Sequence, residues 1–110
     1  MARANSSNLA APAWTFLTNH AHVILCLAGD PAMRIQDIAD HVGITYRAVQ
    51  RILDELQAAG YIERSRQKEN ARSNIYRVNK DLHLRHEIER HQTVAALIEL
   101  ASKPATSPND

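Results

Sequence analysis

Arg47, Gln50 and Arg51 stand three and four residues apart in YRAVQRILDEL, a spacing that puts all three on one side of a helix. Arginine and glutamine can each make two hydrogen bonds at once to a base edge in the major groove of duplex DNA. Tyr46 and Asp54 flank that side, while Val49, Ile52, Leu53 and Leu56 occupy the other at helical spacing. Thr45, just ahead, is expected to cap the helix through its hydroxyl and to touch phosphate. A second basic group follows: Arg64 and Arg66 lead into a polar stretch that carries Lys68 and Arg72. Cations on such a segment suit phosphate or minor-groove contact better than fixed bidentate geometry. The plainer alternative for both groups is a solvated helix face and a charged hairpin.

The remaining reactive side chains make no site of their own. His22 and Cys26 are four apart and share a helix face, and Asp81, His83, His86, Glu87 and His91 gather later in the chain. No closed four-ligand set emerges, so no metal ligand is assigned. His20 and His91 fall on apolar stripes and are expected to be packed or interfacial. Cys26 reads as a small buried apolar residue. Asp54 and Glu55 are adjacent, hence on different helix faces, and form no acid–base pair. No Gly-rich phosphate loop, nucleophile elbow or HExxH motif occurs. No catalytic residue or cofactor is expected.

With 110 residues the chain is expected to form one domain, and 45% apolar residues supply a core. No apolar run approaches the ~20 residues that span a bilayer. The start, MARANSSNLAAP, lacks the apolar stretch of a signal peptide. A lone cysteine excludes an internal disulfide and fits a reducing cytoplasm. The net charge is only +1, but it is unevenly spread: residues 45–80 carry eight Lys/Arg against four Asp/Glu, and the flanks are net negative. Phosphate contacts are short-range, so a local basic face matters more than the total.

The elements that must position these residues are legible in part. Ile35, Ile38, Ala39 and Val42 give a helix that ends at Gly43, and Ile44 plugs the turn before the second helix, about 45–59. This is a helix-turn-helix with its second helix turned outward. Arg34 falls at the N-cap of the first, a position arginine fills poorly, while Asp37 suits the helix dipole. All three glycines, Gly29, Gly43 and Gly60, fall at expected helix ends. Tyr61–Arg66 and Ile75–Asn79 read as an antiparallel hairpin around a tip at Gln67–Asn74, the whole spanning about 61–79. Ile62, Tyr76 and Val78 are expected to face the helices. A helix is expected over Ala13–Ala28 and another over His86–Ser102, with Met33 between the first two helices in a possible edge strand. Both outer helices carry more apolar surface than one small core needs, which points to a second chain covering them. Residues 1–12 and 103–110 read as a flexible arm and tail.

Residues 23–79 resemble a winged helix-turn-helix DNA-binding domain of the MarR-like kind. The resemblance is carried by IQDIADHVGITYRAVQRILDELQAAGYIERSR, a polar tip and NIYRVN. It includes the pattern from Asp37, the turn Gly43, Arg51, and the run Leu56, Gly60, Tyr61, Ile62, Arg64. It implies a mainly α fold with a small β-hairpin, in the order α-α-α-β-β-α. It also implies a dimeric transcriptional regulator that binds double-stranded DNA and pairs through its first and last helices. The expected DNA-binding residues are Thr45, Tyr46, Arg47, Gln50, Arg51, Arg64, Arg66, Lys68 and Arg72. The chain is shorter than full-length MarR proteins, leaving little room for their ligand pocket, and no effector is assigned. Two rivals stay open. One is a winged helix that binds protein, although such adaptors tend to lose the paired arginines and basic tip kept here. The other is an ArsR-type metal sensor, whose Asp-x-His start matches Asp81 and His83 without the second ligand pair.

Overall fold

The computed structural model describes residues 12–66 and 74–102. The order is α1 (Asn19–Gly29), α2 (Ile35–Val42), α3 (Tyr46–Ala58), β1 (Ile62–Arg66), β2 (Asn74–Val78) and α4 (Val94–Ser102). This is the expected α-α-α-β-β-α winged-helix arrangement.

α2 and α3 form the helix-turn-helix. Gly43 closes α2 at φ 86°, where its N–H and that of Ile44 both donate to the Ala39 carbonyl, at 2.8 and 3.1 Å. A side chain resists that left-handed conformation, and glycine does not. Thr45 then caps α3: its hydroxyl accepts from the Ala48 N–H at 3.0 Å. Gly60 ends α3 in the same left-handed region, with the Tyr61 N–H reaching back to the Leu56 carbonyl at 2.9 Å. Arg34 occupies the N-cap of α2 without a side-chain cap bond and pairs instead with Asp37 at 3.5 Å.

The hairpin pairs Ile62 with Val78, Arg64 with Tyr76 and Arg66 with Asn74. Asn74 therefore belongs to β2 and not to the tip. Ile62, Tyr76 and Val78 are buried against the helices, as the alternation predicts. Met33 lies in no strand. The connector instead docks on the outer edge of β2 by one bond, from the Tyr76 N–H to the Pro31 carbonyl at 3.0 Å. The core joins Val23 and Leu27 of α1, Ile38 of α2, Val49 and Ile52 of α3, and Val94 of α4 to the inner face of the hairpin.

Both outer helices are shorter than their apolar spacing predicts. α1 starts at Asn19, because the Thr18 hydroxyl caps it through the Ala21 N–H at 3.3 Å. The Thr15 hydroxyl donates to the Leu17 carbonyl at 2.6 Å, a local bond that competes with helix upstream. Trp14 and Phe16 therefore stand off the helix, packed edge to face at 4.9 Å between ring centroids. α4 starts at Val94, not near His86. Residues 80–93 fold back as a loop: His83 bridges Thr93, and the Val94 and Ala95 N–H groups donate to the carbonyls of Leu82 and Lys80 at 2.8 and 3.0 Å. The Thr93 hydroxyl accepts from Ala96 at 3.2 Å. The free N–H groups of the helix start are thereby satisfied, so the helix gains nothing by extending backwards. His91, expected to be packed or interfacial, is exposed in this loop. Among the described residues no helix is long and apolar enough to cross a membrane.

Candidate nucleic-acid interface

α3 buries Val49, Ile52, Leu53 and Leu56 and leaves Tyr46, Arg47, Gln50, Arg51 and Asp54 exposed. The expected outward face is thus assembled by its own core-facing stripe. Thr45 sits exposed at its N-terminal end with its hydroxyl committed to the cap. Tyr46 borders a shallow hollow shared with Arg34 of the α2 start and Asn74 of the hairpin, so the start of α3 and the tip end of the hairpin adjoin.

The wing residues divide. Arg64 is exposed on β1, cross-strand from Tyr76. Arg66 lies on β1 at the entrance to the tip, paired with Asn74. Lys68 and Arg72 fall outside the described residues. Arg77, a cation within the basic third but not among the expected contacts, is held by Glu63 directly across the strands at 2.6 Å. Cross-strand partners of opposite charge stabilise a hairpin, so Arg77 serves the wing's register.

Two further residues, outside the expected set, meet beside this face. Glu55 lies one turn beyond Arg51 and meets its guanidinium at 3.3 Å. The i, i+4 spacing of opposite charges could have signalled this pair. His20 of α1 approaches the same carboxylate at 2.6 Å, a contact made across 35 residues that no local pattern announces. Together they hold the Glu55 carboxyl below its ordinary range. The His20 hydrogen bond is the main cause and Arg51 adds to it, against a smaller desolvation effect.

His20 also lines an open hollow of about 840 Å³ between α1, the end of α3, the 80–93 loop and α4. Its wall includes Phe16, Leu17, Ile24, Leu56, Leu84 and Leu97. The chain thus carries a sizeable apolar concavity on its surface. Cys26 is half-buried on the opposite side of α1, where burial pushes its thiol up, away from a reactive thiolate. Among the described residues no three His, Cys, Asp or Glu side chains are placed to hold one metal ion.

Three helices, an αL turn at Gly43, an outward α3 and a hairpin beside it define a winged helix-turn-helix domain. The family model of the MarR family matches residues 18–73, half of the chain, and the chain belongs to that family. A comparison with curated proteins finds no match. Solved structures align with it at low identity. FabT of Streptococcus pneumoniae, solved in complex with DNA, is 22% identical with a TM-score of 0.52, over 70% of this chain and 55% of that one. The zinc-responsive MarR family member ZitR of Lactococcus lactis is 17% identical at 0.53, over 84% and 55%. The adhesin competence repressor AdcR of Streptococcus pyogenes is 13% identical at 0.56, over 90% and 59%. At such identities the likeness is one of fold. The chain spans little more than half the length of these three proteins.

Proposed function

We propose that this protein is a dimeric, sequence-specific DNA-binding regulator of transcription acting in the cytoplasm. The observation that carries the reading is the outward face of α3. Arg47, Gln50 and Arg51 are exposed together on a helix capped by Thr45 and anchored by four buried residues. In this reading α3 enters the major groove and Arg47, Gln50 or Arg51 reads base edges. Tyr46 enters the groove with that face, and Thr45 meets a flanking phosphate. Arg64, Arg66, Lys68 and Arg72 follow the backbone or the minor groove from the wing. Residues 13–102 form the winged-helix unit, with 1–12 and 103–110 flanking it.

Dimerisation through the first and last helical regions would cover exposed apolar side chains there: Phe16 is 90% exposed, and Ile88 and Leu100 are each 77% exposed. Two-fold pairing would set two recognition helices about 34–36 Å apart, one turn of DNA, on a palindromic site. Membership of the MarR family and the fold shared with FabT, solved on DNA, support the reading.

The test is selection of bound sequences from a random duplex pool at low salt. The expected result is a palindromic consensus. Retention of no duplex DNA, together with recovery of a protein ligand on the α3 face, would replace the reading with that of a protein-binding winged helix.

A further inference from the structure

We propose that Glu55 is a positioning residue that sets how available Arg51 is to DNA, and that His20 of α1 sets Glu55 in turn. The proposal rests on the DNA-binding reading above. Three side chains from two helices meet at the edge of the recognition face. His20 Nε2 lies 2.6 Å from Glu55 Oε1. Arg51 Nη1 lies 3.4 Å from that same oxygen and 3.3 Å from Oε2. The imidazole contact is short and the guanidinium contacts are long, so the carboxylate is anchored to α1 more firmly than Arg51 is anchored to it.

Each partner is placed by packing. His20 sits in the first turn of α1, just after the Thr18 cap, and its orientation follows from burial of Val23, Ile24 and Leu27. Glu55 stands between Ile52 and Leu56, whose burial fixes the rotation of α3. The trio therefore links the helix expected to face a partner chain to the helix expected to face DNA.

The coupling is electrostatic. A carboxylate beside Arg51 competes with phosphate or a base edge for the same donors. A neutral imidazole can donate one hydrogen bond to Glu55 but leaves its charge in place. A protonated imidazole neutralises that charge, weakens the pull on Arg51 and adds a cation beside the recognition face. Histidine changes charge between about pH 5 and 8. Glu55 stays ionised across that range, because its carboxyl is held below the ordinary value. Besides Glu55 and Tyr61, whose hydroxyl donates to the His83 carbonyl, the charged or titratable groups lining the hollow that His20 faces are Arg85, His86 and Glu89 of the 80–93 loop. Among the described residues His20 makes its side-chain hydrogen bond to Glu55 and to none of these three. His22, also on α1, lines the opposite hollow with Cys26 and His41. Protonation of His20 thus favours DNA binding, and affinity rises as pH falls.

The experiment measures the affinity of the full chain for its selected duplex from about pH 5.5 to 8 at fixed salt. Four proteins are compared: the unaltered chain, His20→Gln, His86→Gln and Glu55→Gln. The unaltered chain should tighten roughly two- to fivefold toward low pH, the scale of one exposed ion pair. His20→Gln still donates a hydrogen bond but does not titrate, and should flatten the profile. His86→Gln, which alters the hollow without touching Glu55, should keep it. Glu55→Gln should bind more tightly at every pH and keep only the smaller rise that the His20 charge adds by itself. A pH profile unchanged by His20→Gln overturns the proposal while leaving the DNA-binding reading intact. Failure of the unaltered chain to bind duplex DNA at any pH overturns both.

Discussion

At the scale of single residues, the proposed interface separates base-reading candidates from phosphate-holding ones. Arg47 and Arg51 project from a helix whose rotation is set by buried Val49, Ile52 and Leu56. Fixed guanidinium geometry suits the two acceptors of guanine. Alanine at whichever of them reads a base should cost roughly 1–3 kcal/mol and relax preference at one base pair. Alanine at Lys68 or Arg72 should weaken all duplexes nearly alike and flatten the log K against log salt slope by about one per lost phosphate contact. Binding each variant to the selected site and to random DNA at several salt concentrations checks both. Wing variants that alter sequence preference while both arginine variants leave it intact would displace recognition from α3. The outward residues were legible because helical periodicity alone separates Arg47, Gln50 and Arg51 from the buried stripe. Their neighbour's role was not. The approach of His20 to Glu55 depends on how α1 crosses α3, which no local spacing encodes.

At the scale of elements, the helix-turn-helix was legible almost residue by residue, since its boundaries are made by local chemistry. Gly43 and Thr45 are the two positions on which its geometry turns. A Cβ at Gly43 would meet no heavy atom within 4 Å, yet the backbone there sits at φ +86°. Gly43→Ala should therefore destabilise by about 1–2 kcal/mol through strain alone. Asparagine, which tolerates that conformation better, should recover part of the loss. Thr45→Ala should cost about 1 kcal/mol by leaving the Ala48 N–H without its partner. Thermal or urea unfolding measures all three, and an Ala variant at Gly43 as stable as the native chain would contradict the strain argument. Both outer helices are shorter than periodicity predicts for one shared reason. Apolar residues at helical spacing occur at Trp14 and Leu17 and at Leu84 and Ile88, and periodicity alone has no means of stopping there. Thr18 and Thr93 stop them, and the latter does so with carbonyls supplied by Lys80 and Leu82 at the start of the loop that folds back on the helix.

At the scale of the molecule, the question is what covers the apolar surface. The hollow of about 840 Å³ is bounded by α1, α4 and the loop between wing and α4. Phe16 opens onto it, and Ile88 and Leu100 remain largely exposed. Exposed apolar side chains in such number fit the dimer surface proposed above. Sedimentation equilibrium should therefore find a dimer at micromolar concentration. Leu100→Glu and Phe16→Asp should each shift it toward monomer and weaken binding to a palindromic duplex more than to a single half-site. A monomer at that concentration in the unaltered chain would sink the dimer reading.

What this sequence determined by itself is whatever depends on neighbours within a turn or two. That covers the helix-turn-helix, the αL glycine at its turn, the cap on α3, the inward face of Ile62, Tyr76 and Val78, and the polarity of the recognition face. These are set by backbone sterics and by the 3.6 and 2 residue periods, which act over a few residues. Tertiary structure alone decided where α4 begins, that the connector docks on β2 through Pro31, and that Arg77 is occupied by Glu63. It also decided that His20 reaches Glu55. Each of those outcomes is a contest between a local preference and a partner brought from far along the chain. Such a partner acts only once the core of Val23, Ile38, Ile52 and Val94 has closed around it.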